Sequence, residues 1–256
     1  MLAIARHQFI LELLQKQSSV QVSDLSEQME VTPKTVREDL EKLEEKGLLR
    51  RIHGGAVSPN DQTDSMLPLQ FPNTKHLNEK EAIAIHALRY ISQNDVIALD
   101  AGSTTLEIAK RLPNMPLTVL TNDLLIIREI ISKEQIQLVV PGGYRHHNVL
   151  VGNDALDWLT RLNVQKLFVS ATGIHDKFGL SVFTSELLNL KKAYLSEAKE
   201  IYGVVDSSKF DRAALLTFAA LQDLHVLITD DGLSDEQFHR YEGGSVKIER
   251  APTKQI

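Results

Sequence analysis

From Val96 onward, short apolar runs alternate with stretches of helical spacing: 96–100, 117–120, 136–140, 167–171, 203–206 and 226–229 read as strands. A chain that lays down a helix between successive strands returns to the same end of the sheet each time, so the strands pair in parallel. The predicted fold class is therefore α/β, a mostly parallel sheet with helices on its faces.

The first fifty-odd residues do not follow that rhythm. Ile4, Phe9, Ile10, Leu13 and Leu14 recur at helical spacing and predict a first helix, which Ser18 and Ser19 break. Residues 20–22 read as a short extended piece, and Ser23, before Leu25 and Met29, is expected to N-cap a second helix. A third begins with Thr32 as N-cap and Pro33 in its first turn, carries Val36, Leu40 and Leu43 inward, and ends at Gly47. Residues 48–52 predict a strand that His53, Gly54 and Gly55 turn back. Three helices and a hairpin in this order make a winged helix-turn-helix, whose last helix enters the major groove of DNA.

Between these halves, 57–75 mixes Ser, Pro, Asn, Asp and Gln without periodicity, as a linker does. The expected division is a DNA-binding domain at 1–57, a linker at 58–75 and an α/β domain at 76–256. The 256 residues suffice for one small and one large domain. There is no cysteine, which removes disulfides and thiolate metal sites. The N-terminal helix carries Arg6, His7 and Glu12 and lacks the pattern of a signal peptide, and no apolar run is long enough for a membrane span. A cytoplasmic protein without membrane partners is expected.

A net charge of −6 does not exclude DNA, because what counts is where the cations sit. On the third helix, Thr32, Pro33, Lys34, Thr35, Arg37, Glu38 and Lys42 fall outside the inward stripe, and Arg50, Arg51 and His53 add positive charge to the wing. Glu41, Glu44 and Glu45 gather at the helix's far end. Singly these are ordinary solvated charges. Jointly, Thr32-Pro33-Lys34-Thr35-Val36-Arg37 with Asp39, Leu40, Leu43, Gly47, Arg50 and His53-Gly54-Gly55-Ala56 resembles the DeoR family of bacterial repressors of sugar metabolism. Glu38 departs from the second arginine usual in that family. It either accepts from a cytosine amino group or avoids the DNA.

The resemblance runs on through Asn78-Glu79-Lys80-Glu81, the hexapeptide Asp100 to Thr105, Thr121-Asn122, Pro141-Gly142-Gly143 with Arg145, Ser185-Glu186 with Lys191, and Asp206 to Phe210. It implies a sensor domain similar to ribose-5-phosphate isomerases, with Glu186 and Lys191 contributing to the effector pocket. The residues can also be read directly. Asp100 closes a strand, Gly102 is expected to permit a tight turn, and Ser103, Thr104 and Thr105 open a helix whose free N–H groups favour an anion. A plain glycine turn with a Ser or Thr cap is the alternative. Position favours the anion site, since Asp100, Thr121, Gly142 and Asp206 are all expected to follow strands directly, and open α/β sheets bind ligands at the carboxyl ends of their strands. Asn122 and Gly143 belong to the same set. Arg145 and Lys209 are the cations expected to grip a phosphate, unless each is simply a surface residue.

His146 and His147 are adjacent, point apart and lack a third ligand, so no metal is expected, and no cofactor. Where the family's relatives commonly read Asp-Gly-Ile-Asp, this chain has Thr172-Gly173-Ile174-His175, without the carboxylates a proton-shuttling isomerase would use. The expected function is a repressor, not an enzyme, that binds double-stranded operator DNA of a carbohydrate operon and is released by a phosphorylated sugar. An isomerase carrying an interaction module is the rival, and an activator would use the same parts. Reading two half-sites calls for a homodimer or homotetramer.

Overall fold

The computed structural model describes residues 3–17, 19–46, 48–52, 54–57, 75–183, 185–243 and 246–253, without the side chains of 15–17, 153, 154 and 186. Ser18, Gly47, His53 and the linker positions 58–74 lie outside the described residues.

The N-terminal part runs α1 (Ala3–Gln17), β1 (Ser19–Gln21), α2 (Val22–Met29), α3 (Pro33–Glu45), β2 (Arg50–Ile52) and β3 (Gly55–Val57). Strand β3 pairs antiparallel with both β1 and β2, a small three-stranded wing. Ile10, Leu25, Val36, Leu40 and Leu43 are fully or almost fully buried among the helices, each adding roughly 1.5–3 kcal/mol. Thr32 caps α3 by accepting from the Thr35 N–H at 3.2 Å, with Pro33 at the first position, as the sequence predicts. Helix α2 corrects it. Its N-cap is Gln21 with no side-chain bond, and Ser23 sits inside the first turn, its hydroxyl donating to Asp24 at 2.9 Å. Val22, in place of extending a strand, is buried at the helix start.

The second part continues with α4 (Leu77–Ala87), β4 (Val96–Leu99), α5 (Ser103–Arg111), β5 (Leu117–Leu120), α6 (Leu124–Ile130), β6 (Ile136–Val139), β7 (Tyr144–His146), β8 (Val149–Val151), α7 (Asn153–Leu159), β9 (Val164–Val169), β10 (Gly173–His175), β11 (Gly179–Val182), α8 (Ser185–Glu197), β12 (Ala198–Val204), β13 (Leu216–Ala219), β14 (Val226–Asp230), α9 (Asp235–Glu242) and β15 (Lys247–Ala251). Seven strands make the main sheet in the order β15-β14-β12-β9-β4-β5-β6, with every pairing parallel. Alternate residues of each strand serve opposite faces: Ile97 and Leu99 pack with α4, α5 and α6, while Ala98 packs with α7, α8 and α9.

The order of strands positions the site. From β4 the chain steps outward to β5 and β6, then returns to lay β9, β12, β14 and β15 on the other side of β4. Progression along the sheet reverses between β4 and β9, and the crevice at their carboxyl ends is where such a sheet admits a ligand. Each predicted strand overlaps an observed one, 117–120 with the same ends and the others with shifted ends, while β15 and the antiparallel pieces β7-β8 and β10-β11-β13 add to the expected set. Two placements change accordingly. Gly142 comes three residues after β6 ends and Asp206 two after β12, so only Asp100 and Thr121 directly follow their strands.

Candidate nucleic-acid interface and ligand site

On α3 the inward stripe leaves Thr32, Pro33, Lys34, Arg37, Glu38 and Lys42 exposed, with Thr35 half-buried beneath the cap. Arg50 and Arg51 are exposed on β2 beside them. Arg51 is not an independent cation, however. Its N–H donates to Glu44 at 2.7 Å, and its guanidinium lies 3.8 Å from both Glu41 and Glu44. The acidic end of α3 thus partly neutralises the wing, and among the described residues of α3 and β2 it leaves Lys34, Arg37, Lys42 and Arg50 as the exposed positive set.

What holds this helix in place is a carboxylate within the recognition segment. Asp39 is almost fully buried and accepts from Arg6 Nε on Oδ2 at 2.6 Å and from Arg6 Nη2 on Oδ1 at 3.1 Å, with His7 Nε2 2.9 Å from that same Oδ1. Burial holds His7 below the usual histidine range, against the pull of Asp39, and the nearby Lys46 and Arg6 add to the lowering. The bidentate geometry ties α3 to α1. Sequence reading included Asp39 only as part of a resemblance; its position one residue before Leu40 on the inward stripe was the available clue.

At the sheet's switch point, Asp100 follows β4 and Ser170 follows β9. The Asp100 carboxylate accepts from the Ser170 N–H at 3.1 Å and hydroxyl at 3.3 Å. Lys191, from the middle of α8, makes a close ion pair with the same carboxylate and donates to the Ser170 carbonyl at 2.9 Å. Gly102, the N-cap of α5, has φ 173°, extended backbone open to any residue, so the expected tight turn is not why it is glycine. A Cβ there would stand 2.1 Å from Ser170 Oγ. To admit that Cβ, Ser170 would have to turn its hydroxyl away from the Asp100 carboxylate, so glycine here keeps that hydrogen bond.

Helix α5 starts without a side-chain cap, leaving its first N–H groups at the crevice. Ser103 is half-buried and Thr104 nearly buried there. Thr105 is spoken for: its hydroxyl donates to the carbonyls of Asp100 at 2.6 Å and Gly102 at 2.9 Å.

One strand over, Thr121 accepts from the Asp123 N–H at 3.2 Å, and Asn122 exchanges hydrogen bonds with Leu150 of β8. Asp123, unpredicted, caps α6 through the Leu125 and Ile126 N–H groups and accepts from Asn148 Nδ2 at 2.7 Å. Burial pushes its carboxyl up to about 6, and the charge of Asp100 adds to the rise while the hydrogen bonds oppose it. Thr-Asn-Asp before the apolar run 124–127 was a legible cap. These bonds dock the β7-β8 hairpin on the β5 end. Gly143, at φ +140° and with Val151 O 2.2 Å from where a Cβ would sit, closes the hairpin's base.

Arg145 is exposed on that hairpin and spends its Nε on the His147 carbonyl at 2.7 Å. Gly142 stands in open space. Asp206 caps the short turn Ser207–Lys209, accepting from the Ser208 N–H, at the end of β12, two strands from β4. Lys209 is half-buried in that turn. Glu186 lies in the first turn of α8, and its side chain is outside the described residues. Asp100, Gly102, Thr105 and Lys191 are therefore brought together directly, Thr121, Asn122 and the hairpin form a second group beside them, and 206–209 a third. Among the described residues no group of three His, Asp or Glu side chains is arranged to hold a metal, and no helix is long and apolar enough to cross a membrane.

The DeoR C terminal sensor domain matches residues 75–231 and the DeoR-like helix-turn-helix domain residues 6–62. The HTH-type transcriptional regulator YulB of Bacillus subtilis is 36% identical over 98% of both chains. IolR, an HTH-type transcriptional regulator of the same organism, is 34% identical over 91% of this chain and 93% of its own. The L-fucose operon activator of Haemophilus influenzae is 35% identical over 90% and 93%. Ribose 5-phosphate isomerase A of Methanocaldococcus jannaschii is similar in structure, with 20% identity and a TM-score of 0.39 over 51% of this chain and 53% of that one. The curated relatives are named as regulators and not as enzymes. With a DNA-binding unit and a sensor unit both matched, this chain belongs to the DeoR family of helix-turn-helix transcriptional regulators.

Proposed function

We propose that the protein is a repressor of a carbohydrate operon whose grip on operator DNA is released by a phosphorylated sugar. The observation that carries the reading is the crevice at the β4-β9 switch point, where a buried lysine, a carboxylate and an uncapped helix start converge. Phosphate oxygens would take the N–H groups of 103–105, with the Thr104 hydroxyl. Sugar hydroxyls would find Asp100, Thr121 and Asn122, and Glu186, Lys191, Asp206, Lys209, Gly142, Gly143 and Arg145 would close the site. Relatives support the class of signal: similar chains include a lactose phosphotransferase system repressor of Staphylococcus epidermidis, 31% identical over 87% of this chain.

In this reading 1–57 is the DNA-binding domain, 58–75 the linker and 76–256 the sensor. Arg37 and Lys34 read base edges, Lys42 and Arg50 contact phosphates, and Thr32, Pro33 and Thr35 set the start of the helix, with Glu38, Arg51 and His53 at the margin. The protein works in the cytoplasm as a homodimer or homotetramer, so that two heads meet two half-sites. Activation is the second reading, favoured by the L-fucose operon activator among its relatives.

Fluorescence anisotropy with a duplex from the gene's own upstream region tests this. Tight binding that falls on adding one member of a sugar-phosphate panel is the expected result, and binding that no sugar phosphate alters would sink the effector assignment.

A further inference from the structure

The N-terminal head does not end its core at the linker. Phe183, Ala214 and Leu215 of the sensor part are buried in the same cluster as Ile10, Leu14, Leu40 and Leu43. Over this apolar seat, Lys46 at the end of α3 donates from Nζ to the Leu215 carbonyl at 3.1 Å. Burial draws the Lys46 ammonium below the usual lysine range, and its charge reaches His7, the partner of Asp39. With the head seated, Lys34, Arg37 and Lys42 stay exposed, so the seated arrangement is one that can read DNA.

Both segments that enter the seat lead to Lys191. Leu215 is followed by β13, and there the Phe218 ring lies 5.1 Å from Lys191 Nζ. Phe183 is followed by α8, which packs on β13 and carries Lys191 about two turns further on. We propose that Lys46 and the seat of Phe183, Ala214 and Leu215 position the DNA-reading head on the sensor domain, and that β13 and α8 transmit to this seat whether Lys191 is paired with Asp100 or with an incoming anion. A phosphate at the start of α5 competes with Asp100 for the ammonium. Drawing Lys191 off Phe218 loosens β13, and with it the carbonyl that Lys46 holds. The coupling runs both ways, so a head clamped on DNA holds Leu215 in place and disfavours the anion. The direction of this relay rests on the effector reading above, while the seat itself does not.

Hydrogen exchange on the full-length protein tests the relay without any ligand. Lys46→Met keeps the apolar stem and removes the donor, and it raises exchange at 214–218 and the last turn of α3 by about tenfold. Lys191→Met raises exchange at the same amides by a similar factor, and in the Lys46→Met background adds less than about twofold, because the two residues act through one contact. Lys46→Arg restores protection. Should Lys191→Met destabilise the sensor, the neutral pair Asp100→Asn with Lys191→Met serves in its place. Unchanged exchange at 214–216 in the folded variants, or factors that simply multiply, would overturn the relay. A second arm adds inorganic phosphate or glucose 6-phosphate at millimolar concentration. Protection at 100–105 with no response at 214–216 keeps the effector site and rejects the relay, whereas a Lys191→Met response with no protection by either anion keeps the relay and rejects that anion class.

Discussion

Asp100 and Lys191 form a buried ion pair between the end of β4 and the middle of α8, their side chains 4% and 3% exposed. Ser170 completes it, giving an N–H and a hydroxyl to the carboxylate and a carbonyl to the ammonium. The pair is thus satisfied within the protein, and a ligand must exchange these bonds for its own.

Removing one partner strands the other in a dry site. Lys191→Met is expected to cost about 3–5 kcal/mol of sensor-domain stability. The double substitution Asp100→Asn with Lys191→Met recovers most of it. Thermal denaturation followed by circular dichroism reads both, and a double variant no better than the single would show the charge is not what matters.

Arg37 is exposed on α3 and makes no part of the core. Arg37→Ala is expected to lower affinity for the preferred duplex by about 1–3 kcal/mol, with random duplex little affected. Arg50→Ala should weaken both alike and reduce the salt slope by about one. Anisotropy titrations at several salt concentrations separate the two outcomes.

Asp39 gives a stability prediction with a pH sign. Asp39→Ala leaves Arg6 and His7 facing a buried void and is expected to destabilise the head by about 3 kcal/mol. His7 is held below its ordinary value in the folded state. The unfolded chain therefore takes up a proton first as pH falls below about 6.5, and the head loses stability on that side. His7→Gln should flatten this dependence in pH-resolved melts.

Asp123 has the opposite sense. Its folded carboxyl is raised from 3.8 to about 6, so the folded state holds its proton longer and stability falls as pH rises through that window. Asp123→Asn keeps a side-chain acceptor for the α6 cap and removes the charge. It should be on the order of 2–3 kcal/mol more stable near neutrality, relative to its own value at pH 4, than the parent protein. Equal slopes of stability against pH for the two would refute the buried charge.

Thr104→Val and Lys209→Ala each retain the fold and remove a proposed phosphate contact. Operator binding that no longer responds to the effective sugar phosphate is the expected result in an anisotropy release assay. A normal response in either one moves that residue out of the site.

Much of this molecule is written locally. The alternation of apolar runs and helical patterns after Val96 determined the parallel sheet, and Thr32 and Pro33 determined where the recognition helix begins, because a strand's burial and a helix's cap depend on neighbours along the chain. Short antiparallel pieces such as β10 and β13 escaped, since three or four residues carry too little periodicity to stand out.

What sequence alone determined is therefore the strands of the parallel sheet apart from β15, Asp100 and Thr121 at two of their ends, and the cations of α3 outside its inward stripe. Tertiary structure decided the pairings: that Lys191 answers Asp100, ninety-one residues away, that Asp39 is claimed by Arg6 and His7, that Gly102 is glycine because of Ser170, and that Lys46 reaches Leu215. Each depends on which strand lies beside which, and strand order is a property of the whole sheet that no local pattern encodes.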